Sequence, residues 1–351
     1  MFAHLIGAAA LAFVASLTAC RALISIGPLD APDGGRKDQV TATPTSGGLA
    51  VAAGLIVGFT ILLWLGPNWR TEFLAPSPLP AQMAAITLSV VAVVGAVDDV
   101  HALSAKLKFV LFTAASLAAA WGVGVVDALP LGGGIVLHVG FVIGLSGSAL
   151  WVFTLMNSVN FMDGSNGLAM GSMAIGFCVL GALGFSVGVP GVVALSLIAI
   201  GALLGFLLWN FPAGLLFAGD SGSLMMGAAA ALTSLVLIRD GGVSPFVPPI
   251  IFFPLLADVL VTLAWRAWRR HSLFDGHSQH LYQIARHAGM SHAEVAAVYW
   301  AAMLMCGGVA YLVSRENGAA PWIALAIMSL IAIGVSAAMR RFADRRGIGG
   351  V

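Results

Sequence analysis

Residues 157–167 read Asn-Ser-Val-Asn-Phe-Met-Asp-Gly-Ser-Asn-Gly and form a polar segment between two long apolar runs. Amide side chains, one carboxylate and two glycines lie together where one helix is predicted to end and the next to begin. Polar groups in or beside a membrane are costly, so this segment is a candidate functional site. The flanking apolar runs decide the fold, because each is long enough for a helix that crosses a membrane.

Composition assigns the chain to the polytopic membrane proteins. Of its 351 residues 60% are hydrophobic and 9% are charged, and the mean hydropathy is +0.99. A water-facing surface cannot be built from so few charged residues. The net charge of +1 gives no indication of a nucleic-acid partner. The three cysteines lie singly in apolar sequence and indicate neither a disulfide framework nor a metal cluster.

Apolar runs of about 20 residues, enough to cross roughly 30 Å of hydrocarbon, predict an all-α bundle of about eleven transmembrane helices. The predicted spans lie near residues 2–25, 47–66, 81–97, 107–126, 139–156, 167–186, 190–209, 221–238, 247–268, 294–313 and 320–339. Residues 122–140 are rich in Gly and Val and are compatible with a short strand or hairpin as well as with a loop. Residues 1–351 are predicted to form one integral membrane domain.

Positive charges predict the orientation of this bundle. With the N-terminus outside, Arg70, Arg239 and Arg315 fall outside and the other thirteen of sixteen Lys and Arg residues fall on the cytoplasmic side, in agreement with the positive-inside rule. Polar segments separated by an even number of spans share a face. The segments that therefore share the cytoplasmic face are 28–48, Asp98-Asp99, 157–167, 210–223 and 271–287.

Asp98 and Asp99 end the third predicted span, where the helix macrodipole makes two adjacent carboxylates locally unfavourable. One interpretation is a charge-balanced turn at the membrane edge, because Lys106 and Lys108 follow closely. The other is a carboxylate pair that binds a divalent cation or acts as a base.

The segment from Phe217 to Ser223 leads into the eighth predicted span and contains Asp220 between glycines. The free N–H groups at a helix N-terminus attract phosphate, and Asp220 is a candidate metal ligand. The alternative is that Asp220 or Ser221 only caps the helix.

The loop from His271 to Gln283 concentrates histidines, including His277 and His280, before an amphipathic stretch. Zinc is not predicted, because no set of Cys or carboxylate ligands accompanies them, and a catalytic or phosphate-binding His needs no metal. A solvated loop is the alternative. Asp258, inside the ninth predicted span, is interpreted as an acid with a buried hydrogen bond to a neighbouring helix.

In their order and on their common face, these motifs resemble the polyprenyl-phosphate N-acetylhexosamine-1-phosphate transferases, the MraY/WecA superfamily of membrane enzymes (glycosyltransferase family 4). The resemblance covers nearly the whole chain. The residues that carry it are Asp30-Ala-Pro-Asp33 with Arg36-Lys37, Pro44-Thr45-Ser46-Gly47-Gly48, Asp98-Asp99, Asn157-x-x-Asn160-Phe161-Met162-Asp163-Gly164-x-Asn166-Gly167, Asn210, Gly219-Asp220-Ser221-Gly222-Ser223 and His277-x-x-His280.

The loop 274–283 is more similar to the branch that starts O-antigen or capsule glycans than to the muramyl-pentapeptide branch, which carries adjacent histidines here. Ser278 departs from that branch, whose members commonly place Arg after the first His or Asp. Loss of a bidentate phosphate donor should weaken diphosphate binding unless another cation, Arg286 or Lys108, replaces it.

The resemblance implies transfer of an N-acetylhexosamine 1-phosphate from UDP-GlcNAc or a deoxy-aminosugar relative to undecaprenyl phosphate, with release of UMP. It places this reaction at the cytoplasmic face of the bacterial inner membrane, where it initiates cell-envelope polysaccharides such as the O-antigen of lipopolysaccharide. It implies Mg²⁺, with Mn²⁺ as a substitute, on Asp220. It makes Asp98 a base or an orienter of the lipid phosphate, and Asp99 a partner of the metal or of Lys106.

The residues expected to be catalytic are Asp98, Asp99, Asp163, His277 and His280. The residues expected to bind substrate are Asn157, Asn160, Asn166, Asn210, Phe217, Lys106 and Lys108. One alternative within the family is a phospho-N-acetylmuramoyl-pentapeptide transferase. From other classes, a secondary transporter should show paired repeats and midplane charges, and an inactive scaffold should have lost the acidic positions. The aminosugar, the downstream glycan, a homodimer and a phospho-enzyme intermediate stay open.

Overall fold

The computed structural model describes residues 2–30, 42–74, 77–272, 278–316 and 318–348. Its helices in chain order are α1 (Phe2–Leu23), α2 (Gly47–Leu65), α3 (Pro67–Leu74), α4 (Leu79–His101), α5 (Ala105–Val123), α6 (Gly140–Phe161), α7 (Leu168–Ser186), α8 (Pro190–Asn210), α9 (Gly219–Gly241), α10 (Val247–Ile251), α11 (Phe253–Trp268), α12 (Leu281–His287), α13 (His292–Val313) and α14 (Ala320–Arg346). Ten helices of this described part are long and apolar enough to cross a membrane. The predicted all-α, polytopic membrane fold is confirmed.

The ninth predicted span, residues 247–268, is interrupted and forms α10 and α11 instead of one helix. The break falls at Phe252, two residues before Pro254. A proline inside a helix has no N–H to donate and its ring clashes with the carbonyl four residues earlier, so the helix bends or ends there. The other ten predicted spans correspond to the ten long helices.

Two short antiparallel strand pairs lie at opposite ends of the bundle. Strands β1 (Leu29–Asp30) and β2 (Thr43–Pro44) pair at one end. Strands β3 (Ala128–Gly132) and β4 (Ile135–His138) pair at the other, which confirms the hairpin expected within residues 122–140. The indole Nε1 of Trp322 donates to the carbonyl of Leu131 at 2.9 Å and ties this hairpin to α14.

Helix α9 is the most deeply buried of the long helices, and glycines let its neighbours approach its first turn. A Cβ added to Gly48 of α2 would lie 2.2 Å from the backbone N of Gly222, and one added to Gly95 of α4 would lie 2.6 Å from that of Ser221. Real side chains cannot fit at such distances. Small residues therefore bring three helices together where the polar segments begin.

Candidate active site

A cavity of about 770 Å³ lies at one end of the bundle, where the helices end. All five polar segments contribute to its walls, as expected from the even number of spans between them. Its lining includes Asp30, Thr43, Thr45, Asp98, Asp99, Asn160, Asp163, Asn166, Asn210, Phe217, Asp220, Ser278, Tyr282, Gln283, Arg286 and His292. Small-molecule sites typically enclose about 300–1,000 Å³, so this cavity is large enough for a nucleotide sugar.

Asp99 caps the start of α9. Its Oδ1 accepts the backbone N–H of Asp220 at 2.8 Å, and its Oδ2 accepts that of Ser221 at 3.3 Å. These N–H groups have no partner inside the helix, and a negative charge is favourable beside them. The carboxylate of Asp99 thus occupies the two backbone N–H groups that were predicted to bind phosphate.

Lys108 bridges two of the acids. Its Nζ lies 2.6 Å from Asp98 Oδ2 and 3.5 Å from Asp220 Oδ2, and Asp98 Oδ1 accepts the backbone N–H of Leu103 at 2.6 Å. Lys106, expected beside Asp99, is exposed, whereas Lys108 is half-buried and contacts the acids. The reason is helix phase, because two residues correspond to about 200° of rotation around α5, so these two lysines point in opposite directions. Neither lysine is among the residues that line the cavity.

Asp220 and Asp163 are two further carboxylates that line the cavity. Asp220 Oδ1 accepts a hydrogen bond from Asn160 Nδ2 at 2.8 Å, and the same amide reaches Ser223 Oγ at 3.0 Å. Removal from water raises the pKa of Asp163 well above its ordinary value, and the charges of Asp220 and Asp99 raise it further. Such crowding of negative charge favours a bound cation.

The described residues contain no group of three or more His, Cys, Asp or Glu side chains arranged to hold a metal ion. Magnesium does not need one, because it usually keeps several waters and binds through one or two carboxylates together with substrate phosphates. The oxygen donors of Asp220 and Asp163 fit that mode of binding.

Two asparagines that line the cavity link the polar segments 157–167 and 210–223. Asn210, 6% exposed, accepts the N–H of Gly167 at 2.7 Å and donates to the carbonyl of Leu216 at 3.0 Å. Asn166 Nδ2 donates to the carbonyl of Pro212 at 3.2 Å. Both line the cavity as expected. Both the oxygen and the nitrogen of the Asn210 amide bind backbone groups, so we interpret it as a positioning residue.

Besides the two lysines, two expected site residues of the described part do not line the cavity, Asn157 and His280. Asn157 lies one turn deeper in α6 than Asn160, and its Nδ2 donates to the carbonyl of Phe153 at 2.8 Å. His280 is 2% exposed, with Nδ1 at 3.4 Å from Asp258 Oδ1 and its ring beside Phe161. Asn157 and His280 were expected to contact substrate, and this expectation is wrong in the structure: both side chains contact neighbouring protein groups instead. His277 lies outside the described residues.

Asp258 holds the start of α12. Its oxygens accept the backbone N–H groups of Leu281 at 2.8 Å and Tyr282 at 3.2 Å, and the hydroxyl of Tyr299 at 2.5 Å. The interpretation of Asp258 as an acid with a buried hydrogen bond to a neighbouring helix is confirmed. Tyr282 and Arg286 of α12 line the cavity, so an acid from α11 positions one of its walls.

Replacement of Asp258 by Asn should loosen α12. The amide NH₂ cannot accept a hydrogen bond, so one buried backbone N–H loses its partner, at a cost of about 1–3 kcal/mol. We expect amide hydrogen exchange of Leu281 and Tyr282 to accelerate at least about tenfold. Asp344→Asn, at an exposed position of α14, is the control and should leave that exchange unchanged. Unaltered exchange in Asp258→Asn would contradict the capping role.

His292, which the sequence did not single out, also lines the cavity. His292 Nδ1 lies 2.8 Å from Ser165 Oγ, and its Nε2 lies 3.1 Å from Arg286 Nη2. The available signal was the Ser291-x-x-Glu294 capping box, which places the first residue of α13 at the same membrane edge. Arg286, considered as a replacement cation for an arginine at position 278, does line the cavity.

Comparison with known proteins agrees with this geometry. Residues 81–238 match the family model described as glycosyl transferase family 4. This range runs from the first turn of α4 to the last turn of α9 and includes Asp98, Asp99, Asp163 and Asp220. A decaprenyl-phosphate N-acetylglucosaminephosphotransferase of Mycobacterium tuberculosis is 34% identical over 298 residues, with 76% of this chain and 70% of the relative covered. A probable undecaprenyl-phosphate N-acetylglucosaminyl 1-phosphate transferase of Bacillus subtilis is 29% identical over 281 residues, covering 78% and 73%.

A phospho-N-acetylmuramoyl-pentapeptide-transferase of Moorella thermoacetica is 28% identical over 331 residues, covering 88% of this chain and 95% of the relative. The chain belongs to glycosyltransferase family 4, the polyprenyl-phosphate hexosamine-1-phosphate transferases. It is a multi-pass membrane protein of an enzyme family, which favours a phosphosugar transferase over the transporter alternative.

Proposed function

We propose that the protein transfers an N-acetylhexosamine 1-phosphate from UDP-N-acetylglucosamine, or a deoxygenated relative, to undecaprenyl phosphate at the cytoplasmic face of the inner membrane. The products are UMP and a lipid-linked diphosphate sugar that initiates a cell-envelope polysaccharide such as O-antigen. The observation that carries the proposal is the meeting of Asp98, Asp163 and Asp220 in a cavity at the end of a membrane bundle. A soluble nucleotide and a lipid phosphate can both reach such a place. Lys108 bridges two of these acids, Asp98 and Asp220.

The phosphate of the lipid acceptor needs a neighbouring positive charge more than it needs a base to remove a proton. A phosphate monoester has its second pKa near about 6 and is largely ionised at neutral pH. Both oxygens of Asp98 are engaged, one by Leu103 N–H and one by Lys108. We therefore assign Asp98 as the residue that orients Lys108, and Lys108 as the point charge that receives a phosphate oxygen.

Asp220 and Asp163 would hold the Mg²⁺ expected from the family resemblance, with Mn²⁺ as a substitute. The ion, when bound, offsets the repulsion between the donor diphosphate and the acceptor phosphate and the charge that develops on UMP. The amide of Asn160 keeps the Asp220 carboxylate oriented toward the cavity.

We infer a direct displacement. An oxygen of the lipid phosphate forms a bond to the β-phosphorus of the UDP-sugar, and the bond from that phosphorus to the oxygen bridging the two phosphates breaks. The electron pair leaves with UMP. A phospho-enzyme route through the adjacent acids is disfavoured, because both oxygens of Asp98 and both of Asp99 already accept hydrogen bonds.

The donor preference is tested by UMP release from purified protein with undecaprenyl phosphate and a panel of UDP-sugars. UDP-N-acetylglucosamine, UDP-N-acetylquinovosamine or UDP-N-acetylfucosamine should support turnover, and UDP-N-acetylmuramyl-pentapeptide should not. Decaprenyl phosphate in parallel tests the acceptor length, since relatives are named for both lipids. Efficient turnover of the pentapeptide donor would instead favour the pentapeptide-transferase alternative.

A further inference from the structure

A second polar surface lies outside the cavity, at the C-terminal ends of α11 and α14. Five arginines there have exposed side chains, and segments 265–270 and 340–346 contain one acid, Asp344. We call this the arginine surface, and its members are Arg269, Arg270, Arg341, Arg345 and Arg346. Because arginine cannot lose its proton in a protein, this clustering of like charge is unfavourable unless anions compensate it.

The two helix ends are fastened to each other. The guanidinium of Arg340, 4% exposed, lies 4.3 Å from the ring centroid of Trp265, and its Nη2 donates to Thr262 Oγ1 at 2.8 Å. The guanidinium of Arg269 lies 5.6 Å from the same ring. The arginine surface is therefore held in a fixed arrangement instead of being carried on a loose tail.

The arginine surface lies at headgroup depth. Helix α14 has 27 residues, about 40 Å at 1.5 Å per residue, whereas the hydrocarbon core is about 30 Å thick. The surplus of about seven residues corresponds to its basic last turns. Trp268, 76% exposed, and Phe342, 46% exposed, lie beside the arginines. Aromatic side chains next to positive charge are typical of the membrane interface.

We propose that the arginine surface binds the phosphate headgroups of anionic phospholipids in the leaflet at the cavity end of the bundle. Guanidinium groups bind phosphate oxygens in pairs, and basic clusters just beyond a span attract anionic lipids. The inference is independent of the transfer reaction, because none of these arginines lines the cavity.

The test measures retention of phosphatidylglycerol by purified protein, as an apparent Kd from native mass spectrometry. Phosphatidylcholine, whose headgroup carries a phosphate but no net charge, is the reference. Arg341→Gln combined with Arg345→Gln should raise the Kd for phosphatidylglycerol about tenfold or more. It should leave that for phosphatidylcholine unchanged. The matched control is Arg70→Gln with Arg315→Gln at the opposite end, which should have little effect. An equal loss in both double variants, or none in either, would overturn the proposal.

Two further arms use the wild-type protein. At 1 M salt, where the screening length is about 3 Å, phosphatidylglycerol retention should fall to the level of phosphatidylcholine, and salt-independent retention would contradict an electrostatic surface. Excess undecaprenyl phosphate should not displace phosphatidylglycerol. Stoichiometric displacement would mean that the surface belongs to the acceptor lipid, and the phospholipid assignment would be wrong.

Discussion

Replacing Asp220 by Asn is expected to lower kcat by about 100- to 1,000-fold, a loss typical of removing one group that stabilises developing charge. The substitution removes the negative charge assigned to hold the cation and keeps nearly the same shape. The side-chain oxygen of Asn can still accept the hydrogen bond from Asn160. The cap on α9 persists as well, because Asp99 binds the backbone N–H of residue 220, not its side chain. Folding should therefore change little.

The measurement is UMP release in a Mg²⁺ titration, alongside thermal unfolding of both proteins. Asp127→Asn is the matched control, since Asp127 is exposed at the opposite end of the bundle and should retain full turnover. If Asp220→Asn reached wild-type kcat at saturating Mg²⁺, Asp220 would not be the carboxylate that holds the ion.

Replacing Lys108 by Met is expected to lower kcat/KM for the lipid acceptor by about 100-fold. Loss of this partly buried cation leaves Asp98 and Asp220 without their shared partner, and two neighbouring like charges disfavour each other. The phosphate of the acceptor would then approach two uncompensated carboxylates. Met keeps the length and apolar volume of the side chain, so the change isolates the charge.

Lys106→Met is the matched control for this prediction, because it removes the same charge two positions earlier in α5. Lys106 is exposed and should tolerate the change with kcat/KM within about twofold of wild type, as expected for a surface charge. Equal losses in the two variants would show that only the net positive charge near the membrane matters, and would contradict the bridging role of Lys108.

Much of the architecture was predictable because membrane constraints act locally. Apolar runs long enough to span a membrane can be recognised without knowing what they contact. An even number of spans separates residues 28–48 from residues 271–287, which predicts that both segments lie on one face. The interruption near Phe252 was also encoded locally, in Pro254, but the uninterrupted hydropathy of residues 247–268 masked it. The sequence-based expectation therefore counted one span where two helices form.

The roles of individual acids were less predictable, since they depend on contacts between distant helices. Asp99 caps a helix that begins 120 residues later in the chain, and only packing of Gly95 against Ser221 brings the two together. The choice between Lys106 and Lys108 depends on the rotational phase of α5, which begins after the cap at Ser104. His280 lies outside the cavity because its ring contacts the buried Asp258, which is 22 residues earlier in the chain.

In the proposed reaction a sugar phosphate, and not a sugar alone, moves to the lipid. The most direct measurement uses UDP-N-acetylglucosamine labelled with ³²P at the β-phosphorus, incubated with purified protein, Mg²⁺ and undecaprenyl phosphate. We expect the label to enter the lipid product while an equal amount of unlabelled UMP is released. Label released as UDP would mean that only the sugar is transferred. An unlabelled lipid fraction with no UMP would mean that this pair of substrates does not react. Either result would contradict transfer of the sugar phosphate.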